Sequence, residues 1–262
     1  MEKLNLVHFV EWKKISDDDF ILTVEKLVDW GVRDIVAHPQ WGIRDAQAPG
    51  YLKSVARKFE LAGVRTPACH ALWGKAYDIS SCSAPENTER IVMEHSVFLK
   101  KLAQMNVKTY TMHIGMEDNG ETPWEYIRKA LDRLLPVASD CKIILALENG
   151  HENLATQREL AELVDSYQHP YLGICFDTGH ANCYGDQDWR KSLKILSKNI
   201  VTCHLHDNYG TFDDHNPPGK GNLDWKELTG KLKNLPRMLH AETESGEPGE
   251  ESWKLFCKVW NN

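Results

Sequence analysis

Seven strand-like runs of this 262-residue chain end in a side chain that can hold a metal or move a proton: His38, His70, His113, Glu148, Asp177, His206 and Glu242. The gaps between them are 32, 43, 35, 29, 29 and 36 residues. One such group therefore recurs per strand-and-helix unit, which takes roughly 30 residues or more. Taken alone, any of them reads equally well as a helix cap or a solvated loop residue. Seven in phase do not. Residues two apart on a strand share a face, and the face below these termini is small or apolar. Thr66 and Ala68 precede His70, Thr109 and Thr111 precede His113, Ala146 precedes Glu148, and Gly173 and Cys175 precede Asp177. Carboxylates and imidazoles crowded at one opening repel or lose solvent unless a cation neutralises them. A divalent metal is expected. Mixed His/Asp/Glu ligation suits zinc, manganese, cobalt or iron rather than calcium, with magnesium a further option.

The elements that must position these groups are short apolar runs at 4–9, 34–38, 64–70, 107–113, 142–148, 172–177, 200–206 and 237–242. β-Branched residues recur in most of them, which favours strands. Helix-period segments lie between, at 17–30, 87–105, 124–138, 157–167, 188–196, 224–232 and 250–259. Gly31 stops the first, and Thr122-Pro123 places a cap candidate and a first-turn proline before the third. Alternation without a Pro/Gly-rich linker argues for one α/β domain over residues 1–262 with a parallel sheet. Eight units close a (β/α)8 TIM barrel, whose strand C-termini open on one mouth. A doubly wound open sheet is the alternative.

Hydrophobic residues at 42% and charged residues at 26% exclude disordered, collagen-like and fibrous classes. The net charge is −7 and no basic run occurs, which disfavours a protein that tracks nucleic-acid phosphates. Cations bound at the mouth would offset part of that charge, so nucleic acid is the weaker reading rather than an excluded one. Seven scattered cysteines form no C-x-x-C pair and suggest a reduced, cytoplasmic chain. The start MEKLNLVHFVEW lacks the pattern of a signal peptide. The longest apolar run, 143–147, is far below the roughly 18 residues that span a bilayer, so no membrane partner is expected. Oligomeric state stays open, a homo-oligomer among the options. G-x-x-x-x-G-K-[ST], G-x-G-x-x-G and G-x-S-x-G are absent, so no nucleotide cofactor is expected. His151-Glu152 starts like a zinc-protease helix, but Ala155 stands at the second histidine position. His151 therefore reads as a loop residue.

Two loops add to the picture. Asp177-Thr178-Gly179-His180 places an Asp and a His three apart at a strand-to-helix turn. After the seventh strand come His204-Leu205-His206-Asp207-Asn208-Tyr209, then Asp213-Asp214-His215, then PPGKG at 217–221. Lys220 of that tight loop either meets a phosphate or substrate oxygen or is solvated.

At ALENG (146–150), GICFDTGHAN (173–182), HLHDNYG (204–210), DDHNPPGKGNLDW (213–225) and HAETESG (240–246), the chain resembles the xylose-isomerase-like TIM-barrel superfamily. The resemblance spans essentially the whole chain. That group holds sugar and sugar-phosphate isomerases and epimerases, and also the endonuclease IV type of DNA-repair enzyme. The epimerase resemblance implies one divalent ion on Glu148, Asp177, His206 and Glu242, polarising a sugar carbonyl as a Lewis acid. Glu148 and Glu242 would then exchange a proton across the two faces of the reacting carbon through a metal-stabilised enediolate. His180 would hold a substrate oxygen. Trp12, Trp41 and Trp73 each follow one of the first three strands and would either pack against a sugar ring or fill the core under the loops. His38 reads as a ligand, a substrate contact or an interior histidine. The endonuclease IV resemblance implies a larger, three-zinc set. Its positions are also filled here, by His70, His113, Glu148, Asp177, His180, His206, Asp213, His215 and Glu242. The chain departs from that pattern at His206-Asp207-Asn208-Tyr209, where the endonuclease type has Asn-Asp-Ser-Lys, and in the short loop to Asp213. A sugar or sugar-phosphate isomerase or epimerase is the leading expectation. A multi-zinc phosphodiesterase on abasic DNA or a smaller phosphoester is the alternative, and a metal-free binding protein the third.

Overall fold

The computed structural model describes residues 4–115 and 122–261; the first three residues of the N-terminal stretch read above lie outside the described residues. The strands are β1 Asn5–His8, β2 Asp34–Ala37, β3 Arg65–His70, β4 Thr109–His113, β5 Ile144–Glu148, β6 Leu172–Asp177, β7 Ile200–Leu205 and β8 His240–Thr243. They form one closed parallel barrel in chain order. β1 pairs both with β2 and with β8, from Asn5↔His240 to His8↔Thr243, which rules out the open sheet. The barrel is a single TIM barrel.

The outer layer contains α1 Phe20–Asp29, α2 Gln40–Gln47, α3 Tyr51–Ala62, α4 Pro85–Leu102, α5 Trp124–Cys141, α6 Leu154–Tyr167, α7 Thr178–Tyr184, α8 Trp189–Leu196, α9 Trp225–Leu232 and α10 Glu250–Asn261. Sequence periodicity did not reveal α2, α3 or α7. Pro39, Gly42, Pro49 and Gly50 interrupt the pattern around α2 and α3. Tertiary packing sustains them instead. α3 buries Leu52, Val55 and Phe59, and a Cβ on Gly42 would lie only 2.6 Å from Phe98 Cδ2. Thr122 makes no capping bond to α5, whose preceding cap position is Pro123. No helix among the described residues is long and apolar enough to cross a membrane.

Strand alternation decides what enters the barrel. Ile35, Leu145, Leu147, Phe176 and Leu205 belong to the large core beneath the helices. Val7, Val36 and Ala68, and separately Ala146, Cys175 and Val201, form small clusters inside the barrel. One irregularity matters at the mouth. Pairing of β6 with β7 shifts between Ile174 and Cys175, so that Cys175 meets Thr202 and Asp177 meets His204. Paired residues point to the same side of a sheet, so Asp177 and His204 face inward together.

Candidate metal centre at the barrel mouth

The inward-facing residues at the strand C-termini converge. Glu148, Asp177, His204 and Glu244 bring one ligand atom each within 4.8 Å of all the others. His204 Nδ1 is their common neighbour, 3.1 Å from Glu148 Oε1, 2.9 Å from Glu244 Oε2 and 3.8 Å from Asp177 Oδ2. His70 and His113 form a second group with Glu148, their Nε2 atoms 3.4 and 3.1 Å from its Oε2. His206, Asp213 and His215 make a third, with the two imidazoles stacked at 4.1 Å. His151, His180 and Asp213 make a fourth, His180 Nε2 lying 3.2 Å from Asp213 Oδ2. The first two groups thus share Glu148 and the last two share Asp213.

The ligand set implied by resemblance, Glu148, Asp177, His206 and Glu242, does not come together as one group. β7 ends at Leu205, so His204 is its last inward strand residue. His206 stands in the following loop, 3.0 Å from both Asp177 oxygens and stacked on His215. β8 runs through Thr243, with Glu242 in register with His204; Glu244, two residues on, brings its carboxylate into the group with Glu148, whereas the Glu242 carboxylate lies on the other edge of the His204 ring. Sequence reasoning passed over His204 and Glu244 although a signal was present. H-x-H at 204–206 and E-x-E at 242–244 each offer two residues in the same phase. His151, read as a loop residue, does lie in a loop, with its ring 5.3 Å from that of His180.

Of the residues assigned to substrate, Trp73 is at the mouth, 50% exposed, with ring centroids 5.3 and 6.1 Å from those of His70 and His113. Trp12 and Trp41 do not reach it. Both are 2% exposed and pack with Phe20 and Phe59, because the chain after β1 and β2 turns straight under α1 and α3. His38 is buried, and its Nδ1 accepts from Gln40 N at 3.1 Å. Burial, helped by the positive charge of Lys13, pushes its pKa down to about 4. Lys220 is exposed on a loop anchored by the buried Asp207 carboxylate, which accepts from Gly219 N, Leu223 N and Trp225 Nε1 at 2.9, 3.2 and 2.8 Å. At Gly179 a Cβ would collide with the His206 ring. Only glycine fits there.

Electrostatics at the mouth are those of a cation site. Burial disfavours every charge, yet attraction between neighbouring imidazoles and carboxylates outweighs it. Glu148 stays well below the usual carboxylate range beside His204 and His113, and Asp177 is lowered beside His180 and His206. Glu244 is brought to about 2 against burial, chiefly by His204. In the other direction, His180 and His204 rise well above an ordinary imidazole despite burial. The carboxylates therefore require positive charge beside them, which imidazole protons or a bound cation can supply in turn. Glu148 Oε2, His206 Nδ1 and Asp213 Oδ1 are buried without a properly aligned hydrogen bond. Such orphaned acceptors are costly in a folded interior. Together with the mixed nitrogen and oxygen donors, they fit a divalent metal.

The family model for the xylose isomerase-like TIM barrel matches residues 24–260. A probable endonuclease 4 of Geotalea daltonii is 24% identical over 265 residues, covering 91% of this chain and 80% of that protein. The chain spans 38%, 27% and 55% of the length of three further curated relatives. Among solved structures, 3-keto-D-glucoside 4-epimerase YcjR from E. coli superposes with a TM-score of 0.78 at 13% identity, covering 99% of this chain and 100% of that one. The IolI protein with a bound zinc atom gives 0.76 at 18% identity, covering 98% of each chain. At such identities these likenesses concern the fold.

Proposed function

Because the chain belongs to the xylose isomerase-like TIM barrel family, we propose that it is a metal-dependent isomerase or epimerase acting on a small sugar or sugar phosphate. The observation that carries this reading is the four-residue group, in which Glu148 at the end of β5 and Glu244 just past β8 close on one imidazole nitrogen at 3.1 and 2.9 Å. Moving hydrogen next to a carbonyl needs one group to take a proton from carbon and another to return it. Glu148 and Glu244 fill those two roles, exchanging them in the reverse direction. A divalent ion held by Glu148, Asp177, His204 and Glu244 would polarise the carbonyl as a Lewis acid. His180, oriented by its Nδ1 on Asn149 O at 2.9 Å, holds a substrate oxygen, and Trp73 offers a flat face to the sugar. Lys220 meets the phosphate of a phosphorylated substrate. None of the seven cysteines is in a disulfide, which suits a reducing compartment, and we assign the reaction to the cytoplasm. The test is incubation of the metal-loaded protein with a panel of sugars and sugar phosphates in heavy water. Solvent deuterium should appear on a substrate carbon; absence of exchange with every sugar and every divalent metal would sink the proposal.

A second reading is a multi-metal phosphoesterase. It is favoured by the pairing of donor groups through Glu148 and through Asp213, since closely spaced ions are the usual clamp for phosphoryl transfer. Two or three ions per chain together with cleavage of an abasic duplex or a simple phosphodiester would support it. One ion and no cleavage would remove it.

A further inference from the structure

Glu242 is fully buried and has no place in the four-residue group, yet it is not an idle carboxylate. Its Oε1 accepts from Thr202 Oγ1 at 2.7 Å and lies 3.3 Å from His240 Nε2. His240 Nε2 in turn is 3.0 Å from Thr109 Oγ1. The other oxygen, Oε2, points at the back of the His204 ring, 3.5 Å from Nε2. Neither Oε2 nor Nε2 has a hydrogen-bond partner elsewhere among the described residues, and both are buried. Branched apolar side chains usually fill a barrel interior. Here a column of Thr109, His240, Glu242 and Thr202 runs instead beneath one histidine, and buried polar groups of this kind are unfavourable unless each finds a partner.

We propose that Glu242 is the positioning residue for His204, accepting a hydrogen bond from Nε2–H so that Nδ1 keeps its lone pair toward Glu148, Asp177 and Glu244. The inference rests on the reading that this four-residue group holds an ion. Imidazoles that bind metals almost always donate their second ring N–H to a carboxylate, carbonyl or water, and that bond fixes both tautomer and ring angle. Among the described residues Glu242 is the carboxylate that faces Nε2, at 3.5 Å; the Cys175 thiol also lies against the His204 ring, but a thiol is a weak acceptor. Thr202 and His240 restrain the carboxylate from the opposite side, so its direction is set by β7 and β8 together. An apolar residue at 242 would leave Nε2–H buried and unpaired, and the ring would be free to turn or to carry its proton on the wrong nitrogen.

The test uses the full chain stripped of metal and titrated with zinc in a calorimeter. The binding phase that disappears in His204→Ala identifies the four-residue group. In Glu242→Leu that phase should weaken about 10–100-fold, the usual cost of losing such a partner, while the remaining phases are unchanged. Glu242→Gln should recover most of the affinity, because its amide oxygen still accepts from Nε2–H. Thr202→Val, nearly isosteric, should give a smaller loss in the same phase and carries the test if Glu242→Leu does not fold by circular dichroism. The visible spectrum of the cobalt-loaded protein should change in Glu242→Leu. Wild-type affinity in both Glu242→Leu and Thr202→Val, with zinc binding normally to the parent, would overturn the positioning role alone. A parent chain that takes up no zinc would overturn the metal reading of the mouth and this inference with it.

Discussion

At its C-terminal end the barrel gathers carboxylates and histidines around points a few ångströms apart; at its N-terminal end the same strands open on a cavity of about 1870 Å³ rimmed by Lys53, Arg57, Arg65, Lys108, Lys142 and Lys233, with Asp34 and Glu60 as the acids. The difference follows from direction. Every strand runs the same way, so the residue that begins a strand and the residue that ends it are sorted to opposite faces. Helices run against the strands and bring their N-termini to the mouth and their C-termini to the far end. The partial charges of the peptide dipoles therefore favour anions at the mouth and cations at the other face. Asp177 accepts from His180 N at the start of α7, and Lys142 is the C-cap of α5. The acidic end reads as chemistry and the basic end as stability. A basic rim on the side away from the donors also argues against a DNA backbone lying across the mouth.

The contrast can be broken in several ways. The largest effect is expected for His204→Ala, which removes the imidazole central to the four-residue group. Zinc affinity of that group and turnover should fall by more than about 100-fold, since losing a direct ligand costs more than losing its hydrogen-bond partner; zinc titration and the deuterium assay would show it. Next comes a comparison of two histidines on opposite sides of the barrel wall. His8 pairs in register with Thr243, so it faces α10, where Trp253 lies edge-on at 5.1 Å. Burial there pushes its pKa down to about 4. Between the unfolded value of 6.5 and about 4, only the unfolded chain takes up this proton, so stability should fall as pH drops through that window. The contribution is at most about 3 kcal/mol. Urea unfolding from pH 7.5 to 4.5 should lose stability less steeply in His8→Gln than in the parent; equal slopes would contradict the assignment.

A smaller effect is expected at the far end. Arg65 grips the buried Asp34 through two bonds of 2.6 and 2.7 Å, although the arginine itself is largely exposed. Arg65→Ala should cost about 1–2 kcal/mol in denaturant unfolding, discounted for that exposure, while turnover stays within about twofold of the parent. The smallest effect is predicted for Lys142→Ala. Metal content and turnover should both match the parent, and a drop in either would mean that the two ends are not independent.

The strands were legible because a barrel strand carries its own evidence: a short β-branched run, an alternating face and a polar terminus. β5 and β6 end where their polar residues predicted, at Glu148 and Asp177. α2 and α3 were not legible, since glycine and proline mask short helices whose stability comes from distant partners: Trp41 of α2 and Phe59 of α3 pack on Trp12 and Phe20, and Gly42 lies against Phe98. The site was legible in residue type and less so in height. Alternation tells inward from outward, but it cannot say how far up the barrel a strand stops. His204 against His206, and Glu242 against Glu244, differ only in that height. Trp12 and Trp41 illustrate the converse. Their position after a strand suggested the mouth, whereas the turn that follows carries them under the helices.

The irregularity between β6 and β7 has a consequence for how the chain can vary. At that point β7 is read in two frames, one that turns Val201 toward Ala146 and Cys175 and one that sets His204 opposite Asp177. An insertion or deletion at Val201 would be absorbed where the frames meet, leaving the donors aligned. The same change at Cys203 would rotate His204 out among the helices. Two residues of one strand, two positions apart, thus differ widely in their tolerance of a change in length, although both are buried.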